Sequence, residues 1–227
     1  IRDSTTCQQE PKGMAVIDVK SRKEIKMVPI KGGRAGGMDP QGKYFMVSAS
    51  KSVHFFDSQT AELVKTIKVP GGGGNFTCLK DGSKCYVGLR KANAVGVIDM
   101  AKLELMKTIE TGPDANRLYL NPGNSRYGLF ANEAGKSDIV SIIDTQLDVK
   151  VKDIWTGLGP HNVAFDPDGK FAVISTKKEN VATLVDTGSA DPNDWDVITT
   201  DLDSGIQNNG VRWVPSPAAL KKALAQN

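Results

Sequence analysis

The chain has 227 residues, 39% hydrophobic and 24% charged, a composition that belongs to folded globular proteins and excludes a collagen-like or low-complexity chain. Its formal net charge is +3 and its lysines are scattered, so no basic run marks a nucleic-acid-binding protein. No apolar stretch approaches the roughly eighteen residues of a membrane-spanning helix, and Ile1 opens no charged-then-apolar leader, so the sequence reads as a soluble chain.

In chain order, short apolar runs end in aspartate at Asp18, Asp57, Asp99, Asp144 and Asp186, at steps of 39, 42, 45 and 42 residues. Each aspartate precedes a polar turn and a second alternating stretch: EIKMVPI, ELVKTIKV, ELMKTIET, VKVKDIWT and WDVITT. Such alternation predicts half-buried strands. The aspartates read as structural, their carboxylates accepting hydrogen bonds from the turn that follows in every repeat.

Between successive pairs lies another hairpin: GGMDPQGKYFMVSA, NFTCLKDGSKCYVGL, RLYLNPGNSRYGLFAN and HNVAFDPDGKFAVIST. Asp-Pro-Asp-Gly in the last of these suits a type I turn closed by a residue at positive φ. Four strands per repeat of about forty residues is the pattern of a β-propeller blade, which predicts an all-β fold of four-stranded antiparallel blades. At the end of the chain, NGVRWVPS aligns with HNVAFDPD as the first strand of a further blade. Residues Ile1 to Cys7 can supply its second strand, which predicts five blades closed by strands from both termini. The propeller then spans 1–215 and a short helical tail spans 216–227. The alternative is part of a seven- or eight-bladed ring.

Cys7, Cys78 and Cys85 are too few for a disulfide framework and lack the spacing of a zinc or haem-attachment site. A two-residue loop at Asp81-Gly82 would put Cys78 and Cys85 opposite each other, within reach of a disulfide. A longer loop with a bulge at Gly82 would put them on opposite faces as two buried thiols.

HNVAFDPDGKFAVIST followed by NVATLVDT resembles the YVTN family of β-propeller repeats. GGMDPQGKYFMVSASKSVHFFDSQTAELVKTIKV is similar to the propellers of periplasmic haem nitrite reductases, a group whose relatives include amine dehydrogenase subunits. The resemblance covers nearly the whole chain as repeats. It implies an extracytoplasmic protein, periplasmic or secreted, that partners others in a redox system such as a multihaem complex. The chain departs from those relatives in having no CxxCH motif and no evident pair of haem ligands, and in being two or three blades shorter. No cofactor is therefore expected in this chain, and the resemblance leaves room for haem in a partner protein.

In a propeller, the residues opening each inner strand converge at the mouth of the central channel, the default binding site. Aligned on the turns, the first such position carries Arg34, Gly74, Asn116, His161 and Asn209, and the second carries Ala35, Asn75, Arg117, Asn162 and Gly210. The binding candidates are Arg34, Asn75, Asn116, Arg117, His161, Asn162 and Asn209, whose amide and guanidinium donors suit an anion or the acidic edge of a partner. No carboxylate is expected beside His161, which makes it a poor ligand or base, and His54 reads as a half-buried strand residue. The runs GGRAGG and GGGG (Gly71 to Gly74) precede no helix and read as flexible connections. In the longer loop after Asp186, the oxygens of Asp191, Asn193, Asp194 and Asp196 form a weak calcium candidate without the spacing of an EF-hand.

The rim residues predict a non-catalytic, protein-binding or scaffold propeller, and the resemblance implies a place within a periplasmic redox complex. Two alternatives stand beside it: an oxidoreductase or cofactor-binding propeller with its site around Arg34, Arg117 and His161, and a surface or adhesion protein.

Overall fold

The computed structural model describes residues 13–203, apart from 134, 136 and 180, together with residue 211. Strands β1 (Gly13–Asp18) and β2 (Lys23–Pro29) form a two-stranded antiparallel sheet. Four four-stranded sheets follow. The first comprises β3 (Gly33–Met38), β4 (Tyr44–Ala49), β5 (Ser52–Asp57) and β6 (Leu63–Lys68), and the second β7 (Phe76–Cys78), β8 (Lys84–Leu89), β9 (Ala94–Asp99) and β10 (Glu104–Glu110). The third comprises β11 (Ala115–Leu120), β12 (Tyr127–Asn132), β13 (Ile139–Asp144) and β14 (Val149–Trp155), and the fourth β15 (Pro160–Phe165), β16 (Phe171–Thr176), β17 (Val181–Asp186) and β18 (Asp196–Asp203). Within every sheet, strands that follow one another in the chain are neighbours, so each is the four-stranded meander expected of one repeat. The strands expected to close a ring, at residues 1–7 and 209–216, and the tail helix at 216–227 lie outside the described residues, residue 211 apart. No helix among the described residues is long and apolar enough to cross a membrane.

The repeated aspartates organise the turn between the third and fourth strands. One carboxylate oxygen of Asp57 accepts from the amides of Gln59 and Thr60, that of Asp99 from Ala101 and Lys102, and that of Asp144 from Gln146 and Leu147. Four residues after the aspartate, Arg22, Ala61, Leu103 and Asp148 all sit at φ between 52° and 55°, a left-handed corner that any side chain but glycine's enters at some strain. Each pairing of third with fourth strand also carries a bulge, as at Phe55/Phe56 and Ser141/Ile143, and bulges tighten the local twist.

The other turn closes at Gly42, Gly82 and Gly169, with φ of 69° to 71°, each glycine amide donating to the carbonyl three residues back. Around Gly82 the loop holds four residues, Lys80 to Ser83, between the bonded pair Leu79 and Lys84. Four residues preserve the parity of a two-residue loop, so Cys78 still faces Cys85, and the two are joined by a disulfide.

Asp144 has the most buried of these turn carboxylates to be ion-paired, its side chain only 4% exposed. Burial pushes its pKa up, but the Arg126 guanidinium, donating at 2.7 and 3.0 Å, and the amides of Leu147 and Gln146 outweigh that and hold it below 3.8. A carboxyl depressed by folding stabilises the protein above its unfolded value and loses that stabilisation as the pH falls through its folded value. Asp144→Asn should therefore cost about 1–2 kcal/mol at neutral pH, and the deficit should shrink as the pH falls below about 3.8. Urea unfolding at pH 7 and pH 3 measures it, and a deficit independent of pH would place the cost in turn geometry instead of charge.

The chain divides into two compact units, residues 1–110 with 114–118, and residues 111–113 with 119–227. The core of unit 1 lies between neighbouring sheets, where Met46, Val53 and Phe55 meet Phe76, Cys85, Val87 and Ile98. A smaller cluster of Ile30, Val47 and Phe56 takes Met14 and Val28 of the two-stranded sheet against it. In unit 2, Leu129, Val140 and Ile142 pack with Val163, Ile174, Val185 and Trp195. A lysine eight residues after the repeat aspartate ties each of three outer strands to the next sheet. Lys26 donates to the Thr60 carbonyl at 3.4 Å, Lys65 to that of Lys102 at 2.9 Å, and Lys152 to those of Asn193 and Trp195 at 2.7 and 2.8 Å.

Candidate functional site

In unit 1 a groove of about 540 Å³ has Gly72 of the GGGG run in its lining, together with Arg34 and Lys91. Gly72, Gly73 and Gly74 are buried, so the run is a packed floor; the expectation of a flexible connection is corrected. Backbone crowds it from below: a Cβ on Gly72 would lie 2.4 Å from the Ala49 oxygen, and one on Gly74 2.6 Å from the Gly88 Cα. Gly71 and Gly73, at φ of 86° and 101°, take conformations that L side chains rarely adopt. On the groove side, a Cβ on Gly71 would meet the Lys91 Cβ at 2.9 Å and one on Gly73 the Arg34 Cδ at 3.1 Å. The stems of both cations thus lie where only glycine leaves room.

Arg34 is exposed at the start of β3. Among the described residues neither its guanidinium nor the Lys91 ammonium has a hydrogen-bond or ion-pair partner. Arg90, in the same groove, is paired with Asp114 at 2.6 Å. Asp114 stands at φ 57°, its amide held by the side chain of Asn93, which is itself at φ 51°. Asn75 and Asn116 meet in unit 1, where the Asn75 amide donates to the Asn116 side-chain oxygen at 3.0 Å. Asn116 is only 4% exposed, and the pair ties β11 to the residue before β7. Arg117 is exposed on β11.

In unit 2, His161 and Asn162 open β15 side by side, the Asn162 amide donating to the His161 Nδ1 at 2.9 Å and Tyr119 donating to the Asn162 oxygen at 2.6 Å. His161 Nε2 lies 3.4 Å from the Glu133 carboxylate, which Lys177 also contacts. The expectation that no carboxylate stands beside His161 is therefore overturned. Glu133 is one residue past the end of β12, and Lys177 and Arg90 hold the same place after β16 and β8. Aligning the repeats on the ends of their second strands, as well as on the starts of their first, would have found this second row.

The residues of the calcium candidate lie between the end of β17 and Asp196, the first residue of β18. Asp191 accepts from the backbone and side-chain amides of Asn193, Asp194 from the Ser189 hydroxyl, and Asp196 from the Val197 amide, so these oxygens are engaged in local turn bonds. No group of three or more His, Cys, Asp or Glu placed to hold a metal occurs among the described residues. His54 is half-buried on β5, its two ring nitrogens 2.9 Å from the hydroxyls of Ser52 and Thr66, and burial lowers its pKa. Asn209 and Gly210 lie outside the described residues, as does Cys7.

No family model and no curated protein matches the chain. Among solved structures it is similar to hydrazine synthase of Kuenenia stuttgartiensis, with a TM-score of 0.64 and 23% identity over 77% of this chain and 50% of that one. It is similar to a protein of unknown function from Desulfotomaculum acetoxidans, with a TM-score of 0.60 and 14% identity over 74% of this chain and 57% of that one. A candidate 6-phosphogluconolactonase from Bacteroides fragilis gives 0.65 and 20% over 81% and 62%. The chain spans between 50% and 62% of the length of these structures. At such identities the likeness shows the fold, and the fold is that of a β-propeller built from four-stranded antiparallel blades.

Proposed function

We propose that the chain is a non-catalytic, protein-binding propeller subunit of an extracytoplasmic redox assembly, with any haem carried by its partner. The observation that carries this reading is the unit 1 groove, open to solvent and bordered by Arg34 and Lys91, cations with no partner among the described residues. Unpaired cations at an open surface complement an acidic face of another protein and speed its approach. The Cys78–Cys85 disulfide supports an oxidising compartment, and the likeness to hydrazine synthase supports a place beside redox chemistry.

Isolation from the native source under mild conditions, with intact mass, an ultraviolet-visible spectrum and identification of co-eluting proteins, tests it. The expected result is a haem-bearing companion and a colourless propeller, with the companion released when Arg34 and Lys91 are both changed to Glu. A lone chain bearing its own chromophore or metal would overturn the reading. That outcome would favour a cofactor-binding propeller instead, for which the Glu133–His161 contact is the supporting observation, and His161→Ala should then strip the bound group.

A further inference from the structure

We infer that the unit 1 groove is a binding site for a pair of neighbouring carboxylates on an acidic segment of a partner, gripped between Arg34 and Lys91. This rests on the reading of that groove as a docking surface and names the chemistry it grips. Three cations and one carboxylate line the groove: Arg34, Arg90, Lys91 and Asp114. Asp114 neutralises Arg90, which leaves the charges of Arg34 and Lys91 uncompensated among the described residues. A singly charged ligand would satisfy one of them, whereas a dianion satisfies both.

The donor types match as well. A guanidinium offers a planar fork to two oxygens and an ammonium a compact point charge. The exposed Ser50 hydroxyl, without a partner among the described residues, adds a neutral donor on the same wall. The one acceptor group that could draw a cation, the Asp114 carboxylate, is already held at 2.6 Å by Arg90.

Asp114 also sets the strength of the site. Its carboxylate occupies Arg90 and lowers the positive potential of the groove by one charge, so an incoming oxyanion competes with it for that guanidinium. Because the left-handed backbone at Asp114 is one that asparagine also tolerates, Asp114→Asn should keep the loop while removing the negative charge from the groove lining.

Isothermal titration calorimetry of the full chain at low ionic strength tests the site, with inorganic phosphate and the dipeptide Glu-Glu as probes. Saturable binding is expected, at least tenfold weaker in the Arg34→Ala/Lys91→Ala variant and several-fold tighter in Asp114→Asn, with circular dichroism checking that each variant is folded. Tighter binding of the dipeptide than of phosphate is expected, and tighter phosphate binding would overturn the acidic segment as occupant in favour of a free or esterified phosphate. Absence of saturable binding, or equal affinity in the double variant, would overturn the site, and weaker binding by Asp114→Asn would overturn the role given to Asp114. Co-purification of a partner without anion binding would sink the oxyanion site alone. Anion binding with no partner in the native isolate would sink the subunit reading and leave the site standing.

Discussion

Gly88→Ala is expected to lower the stability of the protein by about 3 kcal/mol, read as a fall in the urea midpoint. The added methyl would sit 2.2 Å from the Asn116 carbonyl oxygen and 2.6 Å from that of Ala115. Both atoms are backbone and cannot swing away as a side chain would. Gly88 also bonds through its own amide and carbonyl to Asn75 and Gly74, so the crowded strands have little freedom to part. The control is Gly42→Ala. Gly42 has φ 69° and nothing within 4 Å of its Cβ position, so that substitution meets conformational strain without a clash and should cost about 1 kcal/mol. Equal costs at the two positions would mean that the close approach of backbones in unit 1 relaxes readily.

Trp195→Ala carries a comparable penalty in unit 2, about 3–5 kcal/mol. The indole is 1% exposed, stands edge-on to Tyr127 with centroids 6.0 Å apart, and donates from Nε1 to the Ser189 carbonyl at 2.9 Å. Its removal leaves a cavity and an unpaired carbonyl together. Trp195→Phe should recover most of the packing and leave the carbonyl's loss, about 1–2 kcal/mol. Trp195 thus pins the acidic loop that the sequence offered as a calcium candidate. Millimolar calcium should leave the thermal midpoint unchanged, and a rise of several degrees would show that Asp191 and its neighbours do gather round an ion.

The blades were legible because each one states its strand pattern locally: an apolar run, an aspartate, a polar turn, an alternating run. The turns at Gly42, Gly82 and Gly169 were legible for the same reason. Legibility failed wherever the meaning of a residue depends on the neighbouring blade. Glu133 meets His161 from 28 positions away, and Asp114 meets Arg90 across 24, spacings at which hydrophobic periodicity carries no signal. The tetraglycine run failed differently. Its composition is that of a linker, and only the backbone pressed against Gly72 and Gly74 shows why no side chain can stand there. Leu103 and Ala61 likewise occupy left-handed corners that their residue types would never have suggested.

The outer-strand lysines Lys26, Lys65 and Lys152 each fasten one blade to its successor. Couplings of that reach make the energetics of a unit a chain of nearest-neighbour terms, closer to a stack of coins than to a single droplet. Cutting one link by Lys65→Met should therefore leave the blade interiors protected from hydrogen exchange while speeding exchange in the turn at Lys102, a local loosening that a single global unfolding free energy would not reveal.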